Sequence, residues 1–422
     1  MFKKILVIFL ILASLEMFSF IFIPESVLKV LTLAGVIVIA LVIVLQLIYS
    51  PAEHFVLNFK WEILLILVAV FTSMFMANST YNQSFGTTLI AQRFMYYYLI
   101  YYMLHLIKIP EYELEKIILA FGVVYAAFYF IQFFAYPTRI FDVRISQERG
   151  SLRIFQAGLT YLIFAYFMML NKLFKKFSLL HLAIILLLLS TVFLMATRQL
   201  IMSILLVSLI NILLSKQIKS KVLIIILLAA AVIPVVIIAQ DVIESMVLLT
   251  QKQSKNIHEN IRVLAAGFFL TDFFPNNLAY ITGNGADSSN SSYGIIIQSY
   301  KDIYGFYQSD IGIIGDFSKF GLFFLIGVTM ILVKALKSKM TGKLPYIKYS
   351  FIMIIMLSFT GGGFFGNSSD TIVSICLILY IIDVKKFRNE NKPDDSTTME
   401  TEPEDNLLVA EQSSEITTEP LV

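Results

Sequence analysis

Charge is scarce in this chain. Only 14% of its 422 residues are Asp, Glu, Lys or Arg, against roughly a quarter in a soluble globular domain. That shortage excludes an ordinary water-soluble enzyme and gives no reason to expect a nucleic-acid partner. A single cysteine, Cys376, excludes an intramolecular disulfide and a CxxC metal site. What is abundant is apolar: 58% of residues are hydrophobic and the mean hydropathy is +0.81. Apolar runs of about 18 residues or more recur along the chain, each able to cross the ~30 Å hydrocarbon core of a bilayer as a helix. The net charge of +3 says less than where the charges lie.

Twelve segments qualify as spans: 5–23, 29–49, 61–77, 88–107, 116–136, 156–171, 178–196, 199–215, 222–240, 312–333, 347–363 and 369–384. The N-terminal MFKKILVIFLILASLEMFSF starts like a signal peptide. It lacks a convincing small-x-small cleavage site and reads as a retained first helix. With the N-terminus inside, every second loop is rich in lysine, from Lys3 and Lys4 through Lys60, Lys108, Lys116, Lys172, Lys216 and Lys334 to Lys385 and Lys386. This is the positive-inside pattern. The expected fold is all-α and membrane-embedded, with about twelve spans. Nine lie within 1–240, a large outer loop covers 241–311, and three more spans lie within 312–386. The acidic tail, 387–422, has the composition of a disordered cytoplasmic segment.

Arginine follows another rule. Seven of the eight fall on the outer side: Arg93, Arg139, Arg144, Arg149, Arg153, Arg198 and Arg262. Topology needs only a point charge, whereas arginine adds a planar fork that grips phosphate at two points. Their placement points to an anionic ligand outside, or to pairing with Asp142, Glu148 and lipid headgroups. Arg198 stands alone among 39 otherwise uncharged residues between Lys176 and Lys216. One helix of that length would run ~58 Å, about twice the membrane. Two helices with a turn at Ala196–Gln199 fit instead, putting Arg198 at the outer tip of a hairpin. In the outer loop, ENIRVLAAGFFLTDFF (259–274) has apolar residues at helical spacing. It reads as an amphipathic helix on the membrane or over a cavity.

Three outer patterns then stand in order: ATRQLIMSILLVSL, IRVLAAGFFLTDFFPNNLAYITGNG and YQSDIGIIGDFSKFGLFFLIG. Together they resemble the O-antigen ligase and Wzy-type polysaccharide polymerase superfamily, over about residues 135–335 in detail. That family shows a Thr-x-x-Arg-like turn, an arginine helix followed by Gly-x-Gly, and a polar segment entering a Gly-Ile-Ile-Gly span. The ligase branch carries a His-Asn pair before that span. Here Tyr307-Gln308-Ser309-Asp310 stands in its place, which favours a polymerase.

The resemblance implies a GT-C-like enzyme of the bacterial cytoplasmic membrane, with both termini cytoplasmic. Its donor and acceptor would be undecaprenyl-pyrophosphate-linked oligosaccharides. A chain-length regulator and the flippase of the same pathway are implied partners. A sugar hydroxyl would attack the anomeric carbon and expel the lipid pyrophosphate. The outer segments hold no DxD and no acid cluster at metal-ligand spacing, so arginines take the place of a metal, and no cofactor is expected. Arg198 and Arg262 lead as pyrophosphate ligands, with Arg144, Arg149 and Arg153 behind them. Gly283 and Gly285 either make a turn or let the backbone approach the substrate.

Asp310 is the candidate base, where an apolar wall would strengthen it. Its alternative role is to cap the helix that follows. His258 is the competing base and otherwise a solvated loop residue. The five tyrosines of RFMYYYLIYYMLHL either stack sugar rings or sit at an interface. Glu16 is an acid within the first span, and Glu62 reads as an ordinary interfacial residue. The alternatives are a ligase that transfers a finished glycan to a lipid or protein, and, in another class, a flippase. A transporter would carry polar or broken helices at mid-membrane, whereas these spans read as mostly clean.

Overall fold

The computed structural model describes residues 2–49, 57–147, 152–215, 260–339, 344–359, 365–366 and 368–390, with Lys221 and Glu244. The helices are α1 (Phe2–Ser14), α2 (Glu25–Tyr49), α3 (Lys60–Tyr81), α4 (Phe85–Ala91), α5 (Ile100–Ile107) and α6 (Glu111–Ala135). A short antiparallel hairpin follows, β1 (Arg144–Ser146) with β2 (Arg153–Phe155). Then come α7 (Leu159–Lys175), α8 (Leu179–Leu194), α9 (Arg198–Leu214), α10 (Ile261–Leu270), α11 (Asn277–Thr282) and α12 (Ser292–Tyr304). The last are α13 (Ile313–Lys337), α14 (Pro345–Ser358) and α15 (Ser369–Glu390).

Four of these, α2, α3, α6 and α13, are long and apolar enough to cross a membrane, and α8, α9, α10 and α14 are shorter apolar helices. On α2, Val30, Ile37 and Leu41 are exposed. Such a face suits acyl chains, which are as apolar as leucine. The expected span 222–240 and most of the tail lie outside the described residues.

Three expectations about helices change. The first span stops at Ser14, because Glu16, Met17, Phe18 and Ser19 all take positive φ. Glu16 is therefore in a turn, where it meets Arg93 at 3.8 Å. The 88–107 segment is divided into α4, a 3-10 stretch over Arg93–Leu99, and α5. α15 continues to Glu390, past the expected start of the tail.

The described ends sort as the lysine pattern predicts. At one end Lys4 meets Glu113 at 2.8 Å, Lys334 meets Glu62 at 2.8 Å, and Arg388 grips Glu111 at 2.5 and 3.0 Å. At the other end Ser369 donates to the Ser14 carbonyl, Phe20 bridges Phe141, and Gln83 donates to the Ala286 carbonyl. The two groups lie at opposite ends of α3, α6, α13 and α15.

The core lies between these ends. α7 is buried from Thr160 through Asn171. On α6, a Cβ at Gly122 would sit 2.4 Å from the Ala165 Cβ, so glycine sets a close helix crossing there. The tyrosine run belongs to this core. Tyr97, Tyr98 and Tyr101 are fully buried. Their hydroxyls are spent on the Thr32 carbonyl, the Phe365 carbonyl and Asp383 respectively. They are not placed to stack sugars.

α13 is broken. Gly321 has φ 73° and ψ −168°, a conformation essentially restricted to glycine. Before the break, the carbonyls of Ser318 and Lys319 turn to the preceding loop. The backbone N–H of Asn284 donates to Ser318 at 3.2 Å, and that of Gly285 donates to Lys319 at 2.7 Å. The Asn284 side chain adds a second bond to Ser318 at 3.4 Å. Buried carbonyls left over by the kink thus gain partners, as a dry environment requires.

Candidate functional site at the arginine-bearing end

The tip of the α8–α9 hairpin forms as expected. α8 ends at Leu194, Ala196 takes a φ of +49° in the turn, and Arg198 opens α9. A helix start carries about half a positive charge from its backbone. Arg198 adds a full one at the same point.

A second cation is brought alongside from another element. Arg153, on β2, donates from Nη2 to the Thr197 hydroxyl at 3.4 Å. In the hairpin register Arg144 faces Phe155 and Ser146 faces Arg153. Side chains one residue apart point to opposite faces, so Arg144, Arg153 and Phe155 share a face. Both guanidiniums lie over the Phe155 ring, at 5.5 and 4.9 Å.

Contacts continue beyond the tip. Gln199 donates to the Met356 carbonyl at 2.7 Å, tying the hairpin to the end of α14. Gly312 abuts the Ser358 carbonyl, where a Cβ would lie 2.1 Å away. Just before Gly312, the 3-10 turn Gln308–Ile311 carries Asp310. α10 packs on this turn and on α13. Its Arg262 is exposed, and the Arg262 N–H donates to the Asn260 side chain at 3.0 Å. A continuous series of contacts therefore links the elements bearing Arg144, Arg153, Arg198, Asp310 and Arg262. A guanidinium is the side chain that holds a phosphate in two-point contact.

Other expected members are placed differently. Arg149 and His258 lie outside the described residues. Arg93 is turned to Glu16 instead of to this surface. Gly283 and Gly285 do approach a backbone closely, but it is that of α13. A Cβ at Gly283 would be 2.2 Å from the Lys319 carbonyl oxygen. Asp310 is exposed and has no apolar wall. It does not cap α13 either, since Gly312 is the N-cap and no side chain bonds there. Its nearest side-chain partner is the Ser309 hydroxyl, at 3.5 Å.

Buried polar groups beside this surface escaped the sequence reading. Asp316, in the first turn of α13, is 1% exposed, and its Oδ1 has no hydrogen-bond partner among the described residues. Lys319 is buried one turn further on. Gln308 donates to the Ser318 hydroxyl at 2.9 Å. Asp370 is buried and accepts from the Gly158 N–H at 2.7 Å. The signal was present: charged residues inside an apolar span are functional candidates by default, and GDFSKFG holds two.

Among the described residues no three His, Cys, Asp or Glu side chains converge as a metal site would require. No protein-family model matches the chain, and no curated protein is significantly similar to it.

Proposed function

We propose that this chain is a polytopic membrane glycosyltransferase, of about twelve spans and GT-C-like build, that polymerises undecaprenyl-pyrophosphate-linked repeat units. Its place is the bacterial cytoplasmic membrane, with both termini inside and the arginine-bearing end outside. The observation that carries this reading is the contact series joining the elements that bear Arg144, Arg153, Arg198 and Arg262. An acceptor sugar hydroxyl attacks the donor's anomeric carbon. The bond from that carbon to the pyrophosphate oxygen breaks, and the lipid pyrophosphate leaves with the bonding pair. Fixed guanidiniums aimed at that developing charge supply the main catalytic effect. Asp310 takes the hydroxyl proton, as an exposed carboxylate reached directly or through one water.

The test is reconstitution. Purified protein in lipid nanodiscs, given a lipid-linked repeat unit, should build a ladder of polymer lengths. The ladder should persist in EDTA. Its loss in EDTA and return with a divalent ion would overturn the arginine chemistry. Single transfer to a lipid or protein acceptor would mark a ligase.

For Asp310, exposure makes Asp310→Asn a clean substitution. It should abolish the ladder at unchanged thermal midpoint and donor binding. A wild-type ladder from Asp310→Asn would remove Asp310 from the reaction.

A transport reading draws on the break in α13 and on buried Asp316 and Lys319, because discontinuous charged helices suit substrate carriers. It predicts passage of the lipid-linked sugar across a sealed vesicle with no new glycosidic bond.

A further inference from the structure

The lysine-rich end holds a cavity of about 830 Å³ between the start of α3 and the ends of α13 and α15. Four lysines line it, Lys334, Lys337, Lys339 and Lys386, against three acids, Glu62, Asp383 and Glu390. Several of these charges are already committed. Lys334 bonds to Glu62 Oε1 and to the Asn58 carbonyl. Lys386 donates to the Asn58 side chain at 3.1 Å. Asp383 accepts from Tyr101 at 2.5 Å and from Asn58 at 2.9 Å, and His105 approaches it at 3.3 Å. Lys337 and Lys339 have no ion pair among the described residues. The surplus in the cavity is therefore positive and accessible.

Glu62 lies in the same lining. Its side chain is 4% exposed. Oε1 holds Lys334, but Oε2 is buried and has no hydrogen-bond partner among the described residues. An orphaned carboxylate oxygen at a cavity wall asks for a donor. The ionised phosphodiester of a lipid headgroup carries no P–OH and cannot be that donor, so a separate hydroxyl is needed. Phe59, Met330, Val333 and Ile382 make the remaining wall apolar.

A ligand that fits all three surfaces has an anionic phosphate for Lys337 and Lys339, a hydroxyl for Glu62 Oε2, and hydrocarbon for the apolar wall. We propose that this cavity binds the headgroup of an anionic, hydroxyl-bearing glycerophospholipid of the phosphatidylglycerol class. Basic pockets between membrane helices are suited to such headgroups. The site lies at the opposite end from the arginines and stands whether or not the chain makes polymer.

The chain's one tryptophan, Trp61, is the neighbour of Glu62 and is 65% exposed. It makes the test local. Full-length protein is reconstituted in phosphatidylcholine bilayers containing brominated-chain phosphatidylglycerol, and in the converse mixture, and quenching of Trp61 emission is read. Phosphatidylglycerol should quench preferentially, and Lys337→Gln with Lys339→Gln should cut that preference by about fivefold for each lysine removed. Brominated phosphatidylmethanol, with equal charge and no headgroup hydroxyl, should bind more weakly than phosphatidylglycerol.

Equal quenching by phosphatidylcholine overturns the proposal. So does an unchanged preference in the double variant, whose sites are exposed and whose thermal midpoint checks that it folds. Equal binding of phosphatidylmethanol removes the role of Glu62. Displacement of the lipid by submillimolar glycerol 1-phosphate would assign the site to a soluble phosphate instead.

Discussion

Replacing Arg198 by alanine should stop polymer formation, and replacing it by lysine should leave only a small fraction. Arg198 opens α9 at the tip of its hairpin, next to Thr197, which Arg153 touches. Its charge adds to the positive end of the helix instead of opposing it, and the helix dipole disfavours a cation there. The α9 backbone gains nothing from that charge. Lysine preserves the charge but not the two-point fork. Losing a charge-assisted hydrogen bond costs roughly 1.5–3 kcal/mol, which is about 10- to 150-fold in rate or affinity. Glycan ladders in a null strain, normalised to protein in the membrane, give the measurement. A wild-type ladder from Arg198→Lys would refute the pyrophosphate fork. One from Arg198→Ala would dismiss the whole surface.

The second large effect is on stability. Gly321→Ala and Gly283→Ala should each leave little folded protein. At Gly321 a Cβ would lie 2.3 Å from the Ile281 carbonyl oxygen, and at Gly283 2.2 Å from that of Lys319. Both glycines have φ of 73°, where a side chain adds about 1–3 kcal/mol of backbone strain before any clash. The clash is with main chain, which cannot rotate away. The joint should open, returning the Ser318 and Lys319 carbonyls to an apolar setting. Thermal midpoints in detergent should fall steeply for each variant. The double variant should lose less than the sum, because both changes break the same joint. By contrast Gly86, where a Cβ meets nothing within 4 Å, should accept alanine without loss. Wild-type melting of both single variants would show that the joint does not matter to the fold.

Hydropathy and lysine spacing were enough to place helices over most expected segments and to sort their ends. These are properties of single stretches, set by length and charge. The α8–α9 turn was legible for the same reason, since no bilayer accommodates one 58 Å span. What was not legible depends on partners distant in sequence. Nothing local to Gly283-Asn284-Gly285 says that its N–H groups face carbonyls 34 residues onward. Asp310 was expected to be walled in because apolar residues follow it. In three dimensions those residues turn away into α13. Glu62 looked interfacial because it begins a span, yet Lys334, far along the chain, covers it. The tyrosine run was ambiguous because tyrosine suits both a wet interface and a core that offers its hydroxyl a partner.

The loop that completes α13 also precedes it in the chain, which has a consequence for biosynthesis. A ribosome makes residues 277–285 before 318–321, so the strip of N–H groups exists before the interrupted helix arrives. α13 cannot enter lipid as a finished rod, because at Gly321 its own ladder fails. It must arrive at a receptor already present. A circular permutant that begins at α13 and places residues 277–285 last would reverse that order. It should be retained and degraded during insertion, although every contact of the final structure remains available to it.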